Sequence, residues 1–478
     1  MVAYGGIDAL VWVCRTSKNL TLHHLTTTVL AILAEKESIR PAIIIKWALP
    51  PLLSLIQLYA SINHPKETSS DHSSAPSISS LSEDNAQNFA LEILINCTHV
   101  LYQLSKAGIL SQKEVIDEGV LESLLVLAAF DISLLKLASS GKQDGQTTDR
   151  INIIQSLAAK AISAISSQVS FQSSIIEVVQ ASGKLPCLLR SSNNEVRKYL
   201  AKAVAYLSLR NDKYKSSLLG GEGSRALISI IVRLPLDDLD KKTKSEDLLY
   251  YLATDTSDDA DHPTTESSVD VAAISHACCA LANFATNNES QLNLMLQPHL
   301  LRYICNVPAA LPTHVEIHKH VARCLANLAL YTYNILPTLL ALGQSPHATV
   351  DITRHVVRAI DNLSSNVQLL SDDETELMGW KEKCQEIYPF ITGILNTNAE
   401  QDNDTIKRAK SIIQKKIFEP AEKASITSSE LTDTDISDDK ENSSIKASDY
   451  TTKNERQDNL SDHSTKSSKS KSRSKRRN

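Results

Sequence analysis

Three asparagines, Asn283, Asn327 and Asn362, stand third from the end of the same short motif, and the residues at fixed distances before them are of types that recognise ligands. Aligned on that position, the chain presents Ala164, Tyr206, Asn283, Asn327 and Asn362. Four residues earlier stand Lys160, Lys202, Cys279, Arg323 and Arg358; seven residues earlier stand Leu157, Tyr199, His276, His320 and His355. Spacings of three, four and seven share one face of a helix. A primary amide donates and accepts at once, which suits the peptide groups of an extended segment. A Lys/Arg column favours an acidic or phosphorylated partner through charge-assisted hydrogen bonds. Two competing readings stand beside this one: the asparagines tie adjacent helices together, and the arginines solvate a surface.

Other candidates carry less. His314, His318 and His320 fall in His-Val-Glu-Ile-His-Lys-His. A pair four apart can chelate a metal, but Glu316 is not placed as in H-E-x-x-H and no fourth ligand is evident. Gly220-Gly221-Glu222-Gly223-Ser224 lacks the Lys-Ser/Thr of a phosphate loop. Adjacent Cys278 and Cys279 point to different helix faces and read as core. No G-x-S-x-G elbow occurs. The sequence therefore predicts no catalytic set, no metal site, no cofactor and no small-molecule substrate.

The columns imply an internal repeat. Lys319–Ala329 (KHVARCLANLA) overlays Arg354–Ser364 (RHVVRAIDNLS) at an offset of 35 residues without a gap. Ser275–Ala285, Lys198–Ser208 and Ser156–Ser166 repeat the pattern, and weaker copies end near Leu104-Ser105 and Leu33-Ala34. Each copy is apolar or small at i, i+3, i+4, i+7 and i+8, a helix buried on one broad face. Between copies run a short amphipathic turn, a Gly-containing turn (Gly183, Gly220-Gly221) and a second apolar helix such as Ala226–Val232.

A three-helix unit of about 42 residues, with A-x-x-A-L-x-N-L-A in its third helix and a Gly turn before its second, resembles the armadillo repeat. The resemblance spans roughly residues 4–418. It implies an all-α, right-handed superhelical solenoid of about seven to eight repeats whose third helices line a concave groove. It also implies that Asn283, Asn327 and Asn362 hold a peptide backbone, as the asparagines of importin-alpha and β-catenin do. Importin-alpha pairs its asparagine with a tryptophan four residues earlier; Lys, Cys or Arg stand there in this chain, which disfavours a receptor for basic nuclear signals. The chain opens at Tyr4–Leu10 on what matches a second helix, so the first unit lacks its first helix.

Composition agrees with a helical scaffold. Aromatics are 5% and hydrophobics 42% of the chain, enough for a core, and the net charge is −6. Nothing global attracts nucleic acid or an anionic membrane. The eight cysteines include no CxxC pair and read as reduced thiols of a cytoplasmic protein. No signal peptide is visible, and Lys46 with three prolines breaks Pro41–Ile62 into two short helices rather than a membrane span. Three polar stretches, 62–84, 139–149 and 236–270, read as mobile insertions in an array spanning 4–420. Residues 421–478 read as a disordered tail, acidic at 430–441 and basic at 466–477. That basic run is a nuclear-import signal, a patch for nucleic acid or an anionic membrane, or a solubilising end. The sequence thus predicts a non-enzymatic scaffold that holds an acidic segment of another protein. The alternative is an organising subunit tethered by its basic tail.

Overall fold

The computed structural model describes residues 4–60, 83–131, 145–220, 222–234, 270–297, 299–332, 334–366, 386–396 and 403–414. Most of each expected insertion and the whole expected tail, with its runs at 430–441 and 466–477, lie outside these residues. Met1–Glu419 forms one compact unit. The helices are α1 (Gly6–Thr16), α2 (Leu20–Glu35), α3 (Arg40–Ile45), α4 (Leu49–Tyr59), α5 (Glu83–Lys106), α6 (Val120–Ala128), α7 (Gly145–Ser166), α8 (Gln172–Ser182), α9 (Leu185–Arg190) and α10 (Asn194–Ser208). They continue as α11 (Asp212–Leu219), α12 (Glu222–Val232), α13 (Val271–Phe284), α14 (Asn288–Met295), α15 (Leu300–Ala310), α16 (Val315–Leu328), α17 (Leu336–Gln344), α18 (Val350–Asn366), α19 (386–396) and α20 (Asn403–Gln414). A single π-turn, Lys113–Asp117, stands before α6.

The repeat pattern dictates how these helices stack. The third helices α2, α5, α7, α10, α13, α16, α18 and α20 pack each on the next in one continuous row. Second helices form a row beside it, α1 on α4, α4 on α6, α9 on α12, α12 on α15 and α15 on α17. This is the three-helix solenoid that the repeat predicts. In α16 the positions Ile317, Val321, Cys324, Leu325 and Leu328 are buried, the i, i+4, i+7, i+8 stripe of the motif. Ala277, Ala280, Ala282, Ala322 and Ala326 are buried too, so neighbouring backbones approach closely. Two third helices reach into stretches read as insertions: α5 already includes Glu83-Asp84 and α7 includes Gly145–Asp149.

Three third helices end on a carbonyl that a buried polar side chain six residues on caps. Arg40 Nε donates to the Ala34 carbonyl at 2.8 Å, Gln172 Nε2 to Ser166 at 2.9 Å and Gln291 Nε2 to Ala285 at 2.6 Å. These satisfy carbonyls that a helix C-terminus leaves unpaired.

The turn before a second helix needs a left-handed residue. Gly5, Gly119 and Gly183 supply it with φ of 74°, 80° and 63°. Trp47 (φ 58°) and His299 (φ 55°) occupy the same conformation without being glycine, at a cost of about 1 kcal/mol each. Trp47→Gly should therefore leave unfolding stability within about 0.5 kcal/mol of wild type, despite losing a whole indole. Urea denaturation checks this. A loss near 2 kcal/mol would show the ring to be part of the core.

Candidate functional site

The third-helix row brings the three columns together, and it orients them differently from one another. Asn283 is only 3% exposed. Its Nδ2 donates to the Ala205 carbonyl (3.0 Å) and to Ser208 Oγ (3.2 Å) on α10, and its Oδ1 accepts from Arg323 Nη2 on α16 (2.7 Å). Asn327 repeats the pattern: Nδ2 donates to Ala282 on α13 (3.3 Å), and Oδ1 accepts from Arg358 on α18 (2.8 Å). Asn362 donates to Ala326 on α16 (3.1 Å). The relay runs from the guanidinium of one repeat, through the asparagine of the repeat before, to a backbone carbonyl of the repeat before that. Asn283 is thus an inter-helix staple, contrary to its expected part in a peptide clamp, because its amide is sealed from solvent with donors and acceptor engaged. Asn327 and Asn362 are half-buried and share the staple.

The cationic column remains partly exposed. Arg323 bridges to Asn283 and to the Cys279 carbonyl (3.2 Å), both uncharged acceptors. Lys202 lies 5.8 Å from the centre of the Tyr206 ring and makes no ion pair among the described residues. Lys160 lies 5.5 Å from the Tyr199 ring centre but pairs with Glu195 at 3.0 Å. Ala164 and Leu157 continue the columns on α7 without polar groups.

Two carboxylates that the columns did not predict thin out this positive charge. Glu195 binds both Lys160 and Lys198. Burial alone would raise its pKa, but the two lysines outweigh that and hold it below the usual range. Asp351 pairs with Lys319 (2.9 Å) and Arg354 (2.8 Å), and its pKa is lowered, chiefly by the hydrogen bond from Lys319. Both acids occupy the position eleven before the asparagine column, where opposite charge on the neighbouring turn was the only available signal.

The histidine column is half-buried and electrically neutral. Burial, then Arg323, Lys319 and His276, push His320 down to about 4. Burial, then Arg358 and Arg323, push His355 down to about 3. His276 is lowered by burial and by Lys202. The Nδ1 atoms of His320 and His355 are enclosed and accept no hydrogen bond.

The remaining histidines of the H-V-E-I-H-K-H run separate. His318 is 3% exposed and its Nε2 bonds the Leu311 carbonyl at 2.9 Å, whereas His314 is exposed at the helix start and His320 faces the row. Cys278 is buried and Cys279 half-buried.

Among the described residues no helix is long and apolar enough to cross a membrane. No protein-family model matches the chain, and no curated protein does. Among solved structures the chain is similar to an engineered protein at 18% identity, over 68% of this chain and 98% of the other, with a TM-score of 0.42. It is also similar to a designed armadillo repeat protein at 16% identity, over 62% of this chain and 99% of the other, with a TM-score of 0.40. A third similar structure is a designed armadillo repeat protein in complex with a (KR)4 peptide, at 17% identity, over 62% of this chain and 98% of the other, with a TM-score of 0.39.

Proposed function

We propose that the chain is a non-enzymatic protein-binding scaffold whose third-helix row holds an extended, acidic or phosphorylated segment of another protein. The observation that carries this reading is the set Lys202, Arg323 and Arg358 on α10, α16 and α18. These cations are half-exposed and stacked along one row, and the two guanidinium groups donate to uncharged asparagines. No ion pair meets Lys202 or Arg323 among the described residues, so their charge can act on a ligand, whereas Lys160, Lys319 and Arg354 have theirs met by Glu195 and Asp351. Tyr199 and Tyr206 supply flat apolar flanks beside the lysines. Since Asn283 is spent on its neighbours, recognition falls on partner side chains more than on partner backbone. His276, His320 and His355, being neutral, line the row without adding charge.

The variant that tests this is Lys202→Glu, because Lys202 holds no helix in place through an ion pair. Binding of a fluorescent poly-glutamate peptide should weaken about tenfold, the worth of one charge-assisted hydrogen bond. A poly-lysine peptide should not bind wild type. Equal affinity of variant and wild type for poly-glutamate, with unchanged circular dichroism, would remove the row from the reading.

A further inference from the structure

A second surface stands apart from the third-helix row. Along α1 the residues Asp8, Trp12 and Arg15 follow one another on one face at helical spacing, and Tyr4 precedes the helix. Tyr4 is 93% exposed and Trp12 65%. The α3–α4 turn comes up beside that face. Lys46 pairs with Asp8 at 3.0 Å, and Arg15 donates to the Trp47 carbonyl at 3.3 Å. The turn carries Ile45 at 69% exposure and Trp47 at 61%. Both tryptophans of the described residues therefore lie on one patch with Ile45, and all three are exposed.

The patch is held out deliberately in a physical sense. Trp47 occupies a left-handed position that equivalent turns give to glycine, so the chain bears strain where a residue without a side chain would serve. Lys113 reaches over its ring at 5.8 Å. Around the aromatics stand Arg15, Lys46 and Lys113. Acids stand there too: Asp8 pairs with Lys46, Glu118 lies 3.7 Å from Lys113 and is 22% exposed, and Glu114 and Asp117 share the Lys113 turn.

We propose that this patch is a membrane-surface docking site, taking the headgroup and upper acyl region of a bilayer that contains anionic lipid. Three observations favour lipid over a folded partner. Side chains that are 61–69% exposed project from a helix face and a turn tip instead of lining a cleft. The set is two tryptophans, rings with an apolar body and one polar tip, which settle at the membrane–water interface. Lys113 over the Trp47 ring, with Arg15 and Lys46 beside it, offers basic groups to lipid phosphates. The site is independent of the third-helix row.

The test uses the full chain, so that the basic run at 466–477 is present in every sample. Protein is sedimented with phosphatidylcholine vesicles, with and without phosphatidylserine, and tryptophan emission is recorded with acyl chains brominated. The variant is Trp12→Gln with Trp47→Gly, the glycine chosen because the turn accepts it. Wild type should sediment with the mixed vesicles, shift its emission to the blue and be quenched by bromine. The double variant should partition about tenfold less. Three results would overturn the proposal: wild type staying in the supernatant, equal sedimentation of the variant (binding through the basic run), or sedimentation without bromine quenching. A protein partner lost from the double variant while vesicles are ignored would assign the patch to that protein instead.

Discussion

Asn283→Ala should destabilise the array by roughly 2–4 kcal/mol. The side chain is sealed between α10 and α16, and it serves both neighbours at once. Truncation takes two donors from the Ala205 carbonyl and Ser208, and one acceptor from Arg323. The first loss is the larger, because that end of the staple is buried, whereas Arg323 is half-exposed and keeps the Cys279 carbonyl. Asn362→Ala is the internal comparison. It gives up one donor bond to Ala326 from a half-buried position and should cost about 1 kcal/mol. Because a repeat array is stabilised through nearest-neighbour interfaces, the damage should be local. Hydrogen exchange of the Asn283 variant should quicken first in α10, α13 and α16, while α2 and α5 keep their protection. Uniform loss along the chain, or a cost below about 0.5 kcal/mol, would mean that water takes over the staple.

That prediction concerns the residue on which the sequence was most informative and also most ambiguous. Overlaying Lys319–Ala329 on Arg354–Ser364 was enough to place α16 and α18, to set their register and to align Asn327 with Asn362. Helical periodicity groups residues three, four and seven apart on one face, but it does not say whether that face opens to solvent or meets the next helix. Both the peptide clamp and the inter-helix tie were compatible with the columns. The deciding facts are three-dimensional: buried Ala205, Ala282 and Ala326 bring carbonyls within reach of the asparagines, and arginines arrive from the following repeat. Glu195 and Asp351 were hard to see for a related reason, since each pairs with a lysine on the preceding third helix. The caps at Arg40, Gln172 and Gln291 recur at a constant six-residue offset, yet mix two residue types, so no single-letter repeat marks them. Trp47 was legible only as an apolar residue between prolines. Its exposure and left-handed backbone come from the turn geometry that glycine fills elsewhere.

Acidification gives the second large effect, and its sign follows from the histidine column. His320 and His355 have an ordinary value of 6.5 but are held at about 4 and about 3 in the folded chain. The unfolded chain therefore binds more protons than the folded one between those limits, and stability falls as pH falls. Above about 6.5 the rings are neutral in both states and contribute no slope. Between pH 6.5 and 4 the slope should be about 1 kcal/mol per pH unit, after discounting the two rings for their partial contact with solvent. Glu195 and Asp351, held below ordinary values of 4.5 and 3.8, add to the fall only toward the acid end of that window. The double variant His320→Gln, His355→Gln should flatten the urea midpoint against pH across this window, leaving the shallower contribution of His276 and of His23, His99 and His318, which burial lowers in the same direction. An unchanged slope in the double variant would move the titration to those four. The placement has a consequence for binding. Arg323 and Arg358 are part of what keeps the rings neutral, so mild acid does not add charge to the row. Affinity for an acidic segment should stay level from pH 8 to about 5.5 and then fall as the repeats themselves loosen, and an affinity that instead rose through pH 6 would show that the rings titrate while folded.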